Sequence, residues 1–209
     1  TFMAKPFMET AGSGMHIHIS LKNKKGELLL QTDSKQETNY NQNVEHAVGG
    51  LAQTMEEGMA IFCPNANSYR RFQPGFFAPI TPNWGPNHRN LSIRIPLSDS
   101  DNVRIDHRAA GADANPYLVM ACVLAGIHCG LKNKITPPEM ISEREVIDPE
   151  VTLPVKWDKA LDAFENATVL NEYLGNEYSD LFLRSRRCEM DRFTSQISNK
   201  DFEWYLRSI

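Results

Sequence analysis

Six arginines, Arg70, Arg71, Arg89, Arg94, Arg104 and Arg108, fall within 39 positions of a chain whose formal net charge is −4. Arg94 alternates with Leu91, Ile93 and Ile95, and Arg104 and Arg108 alternate with Val103 and Ile105. On a β-strand that period of two sends the guanidinium groups to one face and the apolar residues to the other. Like charges on neighbouring strands repel unless an anion lies between them. Phosphate and carboxylate suit guanidinium, which binds both bidentately and stays charged. The competing reading is a solvated surface, or pairing of these arginines with Asp99, Asp101, Asp106 and Asp113.

A second group lies near the start of the chain. In Met15-His16-Ile17-His18-Ile19-Ser20 the alternation puts His16, His18 and Ser20 on one strand face and the apolar residues on the other. Two imidazoles two residues apart can reach a metal, a phosphate or only water. Asp106 on the arginine-bearing strand would add the oxygen donor that Mg²⁺ or Mn²⁺ prefers. Ala11-Gly12-Ser13-Gly14 supplies backbone free of bulky side chains just before the histidines. His46 and His128 fall inside helical patterns and are given structural roles, while His88 and His107 stay open.

The elements that must hold these groups follow from periodicity. A turn at Asn23-Lys24-Lys25-Gly26 and a second strand at 27–31 would close a hairpin on the histidine strand. Residues 43–62 carry the stripe of an amphipathic helix from Val44 to Phe62. The Pro-, Asn- and Gly-rich stretch 63–86 reads as a long ordered loop, and such loops carry function. Strands are expected at 90–96 and 103–108. A helix capped by Asp113 or Asn115, with Pro116 in its first turn, follows over 117–131. Further helices are expected at 157–170, 171–187 and 200–208, with the polar stretch 139–154 irregular.

Composition excludes several classes. The 209 residues, 41% of them hydrophobic, suffice for one sizeable core. The acidic balance argues against a nucleic-acid binder, and no apolar run reaches the roughly 20 residues of a membrane span. Cys63, Cys122, Cys129 and Cys188 are too scattered for a disulfide framework, which points to free thiols and a cytoplasmic setting. The opening Thr1-Phe2-Met3 has no initiator methionine and reads as the middle of a longer chain.

Residues 5–20, from Lys5-Pro6-Phe7-Met8-Glu9 through Gly12-Ser13-Gly14 to His16, His18 and Ser20, are similar to the ATP-binding signature of glutamine synthetases. The order continues in Asn67-Ser68-Tyr69-Arg70-Arg71 with Pro74-Gly75, then Arg89 to Pro96, then Arg104 to Arg108 leading to Ala112-Asp113-Ala114-Asn115-Pro116. The chain thus resembles the C-terminal portion of a glutamine synthetase catalytic domain, nearest the branch that makes γ-glutamylpolyamines. The resemblance implies an α+β fold: a curved antiparallel sheet whose charged face forms the site, backed by helices. It implies that a small N-terminal domain and the first catalytic strands precede residue 1, and that subunits assemble as homo-oligomeric stacked rings. It also implies ATP, two or more Mg²⁺ or Mn²⁺ ions, glutamate and a small amine. By residue, His16 and Asp106 would be metal ligands. His18 and Ser20 would contact nucleotide, and Arg89, Arg94 and Arg104 would clamp its phosphates. Gly12, Arg71 and Arg108 would hold glutamate, with Arg89 and Arg108 serving the phosphoryl transfer.

Departures from the family pattern bear on the acceptor. Phe77 stands where ammonia-using members carry a proton-accepting glutamate, and Phe76, Phe77 and Trp84 would together line a pocket for a longer amine. Asp106 replaces a glutamate, Ala11 replaces an asparagine, and no lysine lies between Arg94 and Arg104. The alternatives are an ammonia-using glutamine synthetase and a non-catalytic relative kept as a binding module. A pure scaffold, however, has no use for like charges held together.

Overall fold

The computed structural model describes residues 1–32, 39–73, 76–142, 145 and 151–208. The Pro74-Gly75 pair and part of the 139–154 stretch lie outside the described residues. Six α-helices, two short 3-10 helices (Ser68–Arg71 and Ser100–Asn102) and a four-stranded sheet make up the described regular structure: β1 (Ile17–Ile19), α1 (Gln42–Phe62), β2 (Trp84–Pro86), β3 (Ile93–Ile95), β4 (Ile105–His107), α2 (Pro116–Asn133), α3 (Trp157–Glu165), α4 (Val169–Leu174), α5 (Asn176–Thr194) and α6 (Asn199–Tyr205). The α+β expectation is borne out.

The sheet order is β1-β4-β3-β2. The β1–β4 and β4–β3 pairs are antiparallel, and β2 joins β3 in parallel, so the sheet is mixed at one edge. The register places His18 opposite Asp106 and Asp106 opposite Arg94. These three side chains therefore share one rung and one face, and a slip by one residue would turn them into the core. On the other face Ile19, Ile93, Ile95 and Ile105 join the hydrophobic cluster that contains α1.

Helix α1 starts where the Asn41 side chain accepts from the Val44 amide, and it buries the face predicted from its stripe. It packs on α2 through glycines at very close range. A Cβ at Gly130 would lie 2.0 Å from the His46 carbonyl oxygen, and one at Gly50 would lie 2.0 Å from that of Gly126. Only glycine permits that approach. Between the two expected caps of α2, Asn115 is the one used: its side chain accepts from the Tyr117 and Leu118 amides.

Several boundaries differ from the sequence reading. The turn at 23–26 forms, with Gly26 at φ +84°. The expected strand at 27–31 does not form, since one bridge, Lys22 with Leu28, is followed by a course that buries Leu30. The expected helix 157–170 is broken into α3 and α4, because the Glu57 carboxylate of α1 accepts from the amides of Thr168, Val169 and Leu170 and starts a new helix there. Helix α5 begins after Gly175, at φ +84°, and runs past the predicted end at Arg187 to Thr194. Among the described residues no helix is long and apolar enough to cross a membrane.

Candidate active site

Asp106 is the centre of the charged face. Its side chain is fully buried, a position a carboxylate holds only with strong partners. Oδ2 accepts from Arg94 Nη2 at 2.8 Å and from Arg108 Nη1 at 3.2 Å. Oδ1 is buried and accepts no hydrogen bond, yet it faces His16 Nδ1 at 3.6 Å and His18 Nε2 at 3.7 Å. The Nε atoms of Arg94 and Arg108 are likewise buried without a partner. Orphaned donors and an orphaned carboxylate oxygen on one rung are what a site leaves open for an anion and a cation together.

His16 is tuned to stay neutral. Burial first, and then the Arg108 cation, lower its pKa below the ordinary imidazole value, while Asp106 opposes them. Arg108 Nη1 lies 3.2 Å from His16 Nδ1, so in the neutral ring that nitrogen accepts from the guanidinium. His107 follows the strand alternation to the opposite face. It is buried against the Phe62 ring at 4.8 Å, and burial lowers its pKa to about 4, so it is a core residue. His46 and His128 have the structural roles expected: one lies 3.3 Å from the Ile135 carbonyl, the other 2.6 Å from the Tyr173 hydroxyl.

Beside His16 and Arg108 lies a cleft of about 150 Å³, walled by Gly12, Ser13, Arg71, Phe76 and Phe77 among others. A wider cleft of about 700 Å³ between α1 and residues 135–141 contains none of the histidines or arginines of the charged face. Gly12 is fixed by packing, since a Cβ there would sit 2.7 Å from both the Ala4 carbonyl oxygen and Arg71 Cγ. Phe77 stands at the cleft mouth with 68% of its surface exposed. Trp84 corrects the expected aromatic lining: it is buried on Tyr40, and its indole N–H donates to the Pro138 carbonyl.

Arg71 has a role that the sequence does not disclose. All five of its N–H groups meet protein acceptors: Nε the Ser68 carbonyl, Nη1 those of Ser13 and Ala110, and Nη2 the Ala109 carbonyl and Cys63 Sγ. It binds the histidine-strand lead-in to the segment after β4, and it lines the cleft with its stem rather than with free donors. Asp113 acts alongside it, accepting from Asn65 Nδ2 at 2.9 Å and Ser68 Oγ at 2.7 Å. Lys5 is a further residue missed by periodicity. It is buried, with Nζ 3.6 Å from the Phe76 ring centroid and donating to the Thr10 carbonyl. Nothing in the strand or helix period marks Arg71, Asp113 or Lys5, because all three act between segments far apart in the chain.

The remaining expected residues are less closely gathered. Arg89 is exposed, and its carbonyl accepts from Arg108 Nη2 at 2.8 Å. Arg104 is half-buried, with Nη1 at 3.4 Å from the Asn102 carbonyl. Ser20 is exposed just beyond β1. These three flank the Asp106 rung rather than join its ion pairs.

Comparison with known proteins identifies the family. Residues 1–205 match the family described as glutamine synthetase, catalytic domain. The chain is 40% identical over 208 residues to gamma-glutamylputrescine synthetase PuuA of Escherichia coli strain K12, covering all of this chain and 43% of that protein. It is 34% identical to glutamine synthetase of Pyrococcus abyssi, over 96% of this chain and 46% of that one. A solved structure titled apo GmaS without ligand superposes with a TM-score of 0.85 at 28% identity, covering 99% of this chain and 48% of that one. The chain thus spans 43–46% of the length of these curated relatives. With the matched residues running through every part of the charged face, the chain belongs to the glutamine synthetase catalytic-domain family.

Proposed function

We propose that the protein is a carbon–nitrogen ligase that uses ATP to join the γ-carboxylate of glutamate to a small amine, putrescine or one like it. The observation that carries the reading is the Asp106 rung, where buried, unpartnered polar atoms of both charge types face one side of the sheet. In the reaction a γ-carboxylate oxygen of glutamate takes the terminal phosphoryl group of ATP, and ADP leaves. The amine nitrogen then attacks the acyl carbon, inorganic phosphate departs, and the nitrogen loses a proton. Arg94 and Arg108 supply positive charge where the phosphoryl group passes, and Arg89 and Arg104 extend it along the nucleotide phosphates. His16 and Asp106 would hold a divalent ion, Mg²⁺ or Mn²⁺, whose chemistry there is to neutralise the phosphoryl oxygens. Gly12 and the Arg71-braced segment form the glutamate end of the cleft, and Ser20 with His18 borders the nucleotide.

The acceptor is read from Phe77. A phenyl ring cannot take a proton from ammonium, whereas an exposed ring at the cleft mouth can cover the methylenes of an alkyl amine. The 40% identity to a gamma-glutamylputrescine synthetase supports the same choice. We read the chain as the arginine-bearing half of a longer catalytic domain, acting in the cytoplasm and in a homo-oligomer of stacked rings. The exposed apolar residues of the C-terminal arm, Phe193, Ile197, Phe202, Trp204 and Leu206, support burial against another subunit.

The test is ADP release by the intact protein with ATP, glutamate and Mg²⁺, comparing putrescine with ammonium as acceptor. Turnover with putrescine and little with ammonium is the expected result. The reverse outcome makes it an ammonia-using glutamine synthetase, and silence with both makes it a non-catalytic relative.

A further inference from the structure

We propose that Lys5 is a positioning residue for the acceptor amine: its buried ammonium ties the glycine-rich run of the cleft lining to the aromatic run and so holds the Phe76 ring where an alkyl chain packs. Lys5 is 5% exposed, and among the described residues its ammonium meets a carbonyl and a ring but no carboxylate. A charge is kept in such a place only where its partners hold it well. Nζ donates to the Thr10 carbonyl, just before Gly12, and stands 3.6 Å from the centroid of the Phe76 ring. Gly12 and Phe76 both line the cleft, whereas Lys5 does not. Its charge therefore acts on the acceptor through Phe76 rather than by contact.

The backbone at each end of this tie is fixed independently. The Lys5 N–H donates to Asn67 Oδ1 at 2.7 Å, and Asn67 Nδ2 donates to the Lys5 carbonyl at 2.9 Å, so one amide side chain grips the residue as a neighbouring strand would. The Ser13 N–H donates to the Ala4 carbonyl at 2.8 Å, which closes the lead-in to β1 into a loop around the lysine. Phe76 has its own turn, its amide donating to the Gln73 carbonyl and its carbonyl accepting from Ala78. Between these two anchored points the cation lies over the ring, an attraction that strengthens when water is kept out. Phe77 projects at the cleft mouth, but Phe76 is half-buried and pinned. Phe76 is thus the part of the aromatic wall whose position is set in advance, and a preset surface binds an alkyl chain without first having to be ordered.

This role presupposes the amine acceptor proposed above, and steady-state kinetics of the intact protein with ATP, glutamate, Mg²⁺ and varied putrescine test it. Lys5→Met keeps the apolar stem and removes the charge; it should raise KM for putrescine about tenfold. At saturating putrescine kcat should change less than about twofold, as should KM for ATP. Lys5→Arg, which can still stack on the ring and donate to the Thr10 carbonyl, should restore KM to within about threefold of the wild type. Phe76→Leu reaches the same contact from the other side, so the test stands even where Lys5→Met fails to fold. It should raise KM similarly, and the double variant should be no worse than either single one. Additive effects in the double variant would overturn the proposal, as would a Lys5→Met enzyme that loses kcat while KM for putrescine stays unchanged. Wild type that uses putrescine, with both single variants unaltered, rejects the Lys5 role and leaves the ligase reading in place. Wild type that does not use putrescine rejects the acceptor reading and the Lys5 role together.

Discussion

Where α1 meets α2, glycines bring backbone against backbone at van der Waals range; across the sheet at Asp106, buried polar atoms stand with no protein partner. The first region is complete in itself. The second leaves Asp106 Oδ1 and the Nε atoms of Arg94 and Arg108 unpartnered above a close-packed layer. Ile93, Ile95 and Ile105 anchor the strands into that layer and thereby fix the rung that carries His18, Asp106 and Arg94. The difference separates residues whose groups are satisfied by the protein from residues whose groups are not.

Substitutions can break this contrast from either side. Asp106→Ala leaves Arg94 and Arg108 buried without a counter-charge and removes the central donor. It should cost about 3–5 kcal/mol of stability in urea unfolding and abolish divalent-ion binding. Arg71→Ala tests the link between the regions. With four carbonyls and Cys63 Sγ losing their donor, a loss of about 2–4 kcal/mol is expected. The cleft should loosen, raising KM for glutamate more than it lowers kcat. Gly130→Ala forces a methyl group onto the His46 carbonyl and should cost about 1–3 kcal/mol, yet the folded fraction should bind Mn²⁺ as tightly as the wild type. Weakened metal binding in that variant would mean that the two regions are coupled.

The smallest effect belongs to the surface. The Asp162 carboxyl is held below its ordinary pKa, first by the hydrogen bond from Arg187 and then by Lys159. A depressed carboxylate pKa adds stability that is present above the unfolded value near 3.8 and is lost as pH falls through the folded value. Arg187→Ala should therefore cost a few tenths of a kcal/mol at neutral pH, a difference that vanishes in acid unfolding curves.

Much of the charged face was legible in the sequence because strand alternation is a local signal. The period of two placed His16, His18 and Arg94 correctly on one side and Ile19, Ile93 and Ile105 on the other, and helix α1 was readable from its stripe. The break between α3 and α4 was not legible, since it is imposed by Glu57, more than 100 residues earlier in the chain. The same holds for the Arg71 clamp and for Lys5 under Phe76. Trp84 misled because aromatic content says nothing of direction; its indole turns into the core toward Pro138. The free oxygen of Asp106 also escaped the sequence, because it depends on which carboxylate oxygen the two arginines occupy.

The central claim is that a carboxylate oxygen of glutamate receives the phosphoryl group on the charged face. It is tested most directly by supplying the intact protein with ATP, putrescine and glutamate labelled with ¹⁸O in the γ-carboxylate, and weighing the released phosphate. The account predicts one ¹⁸O per phosphate formed, with label transfer lost in Arg94→Ala together with turnover. Turnover that releases unlabelled phosphate would contradict it.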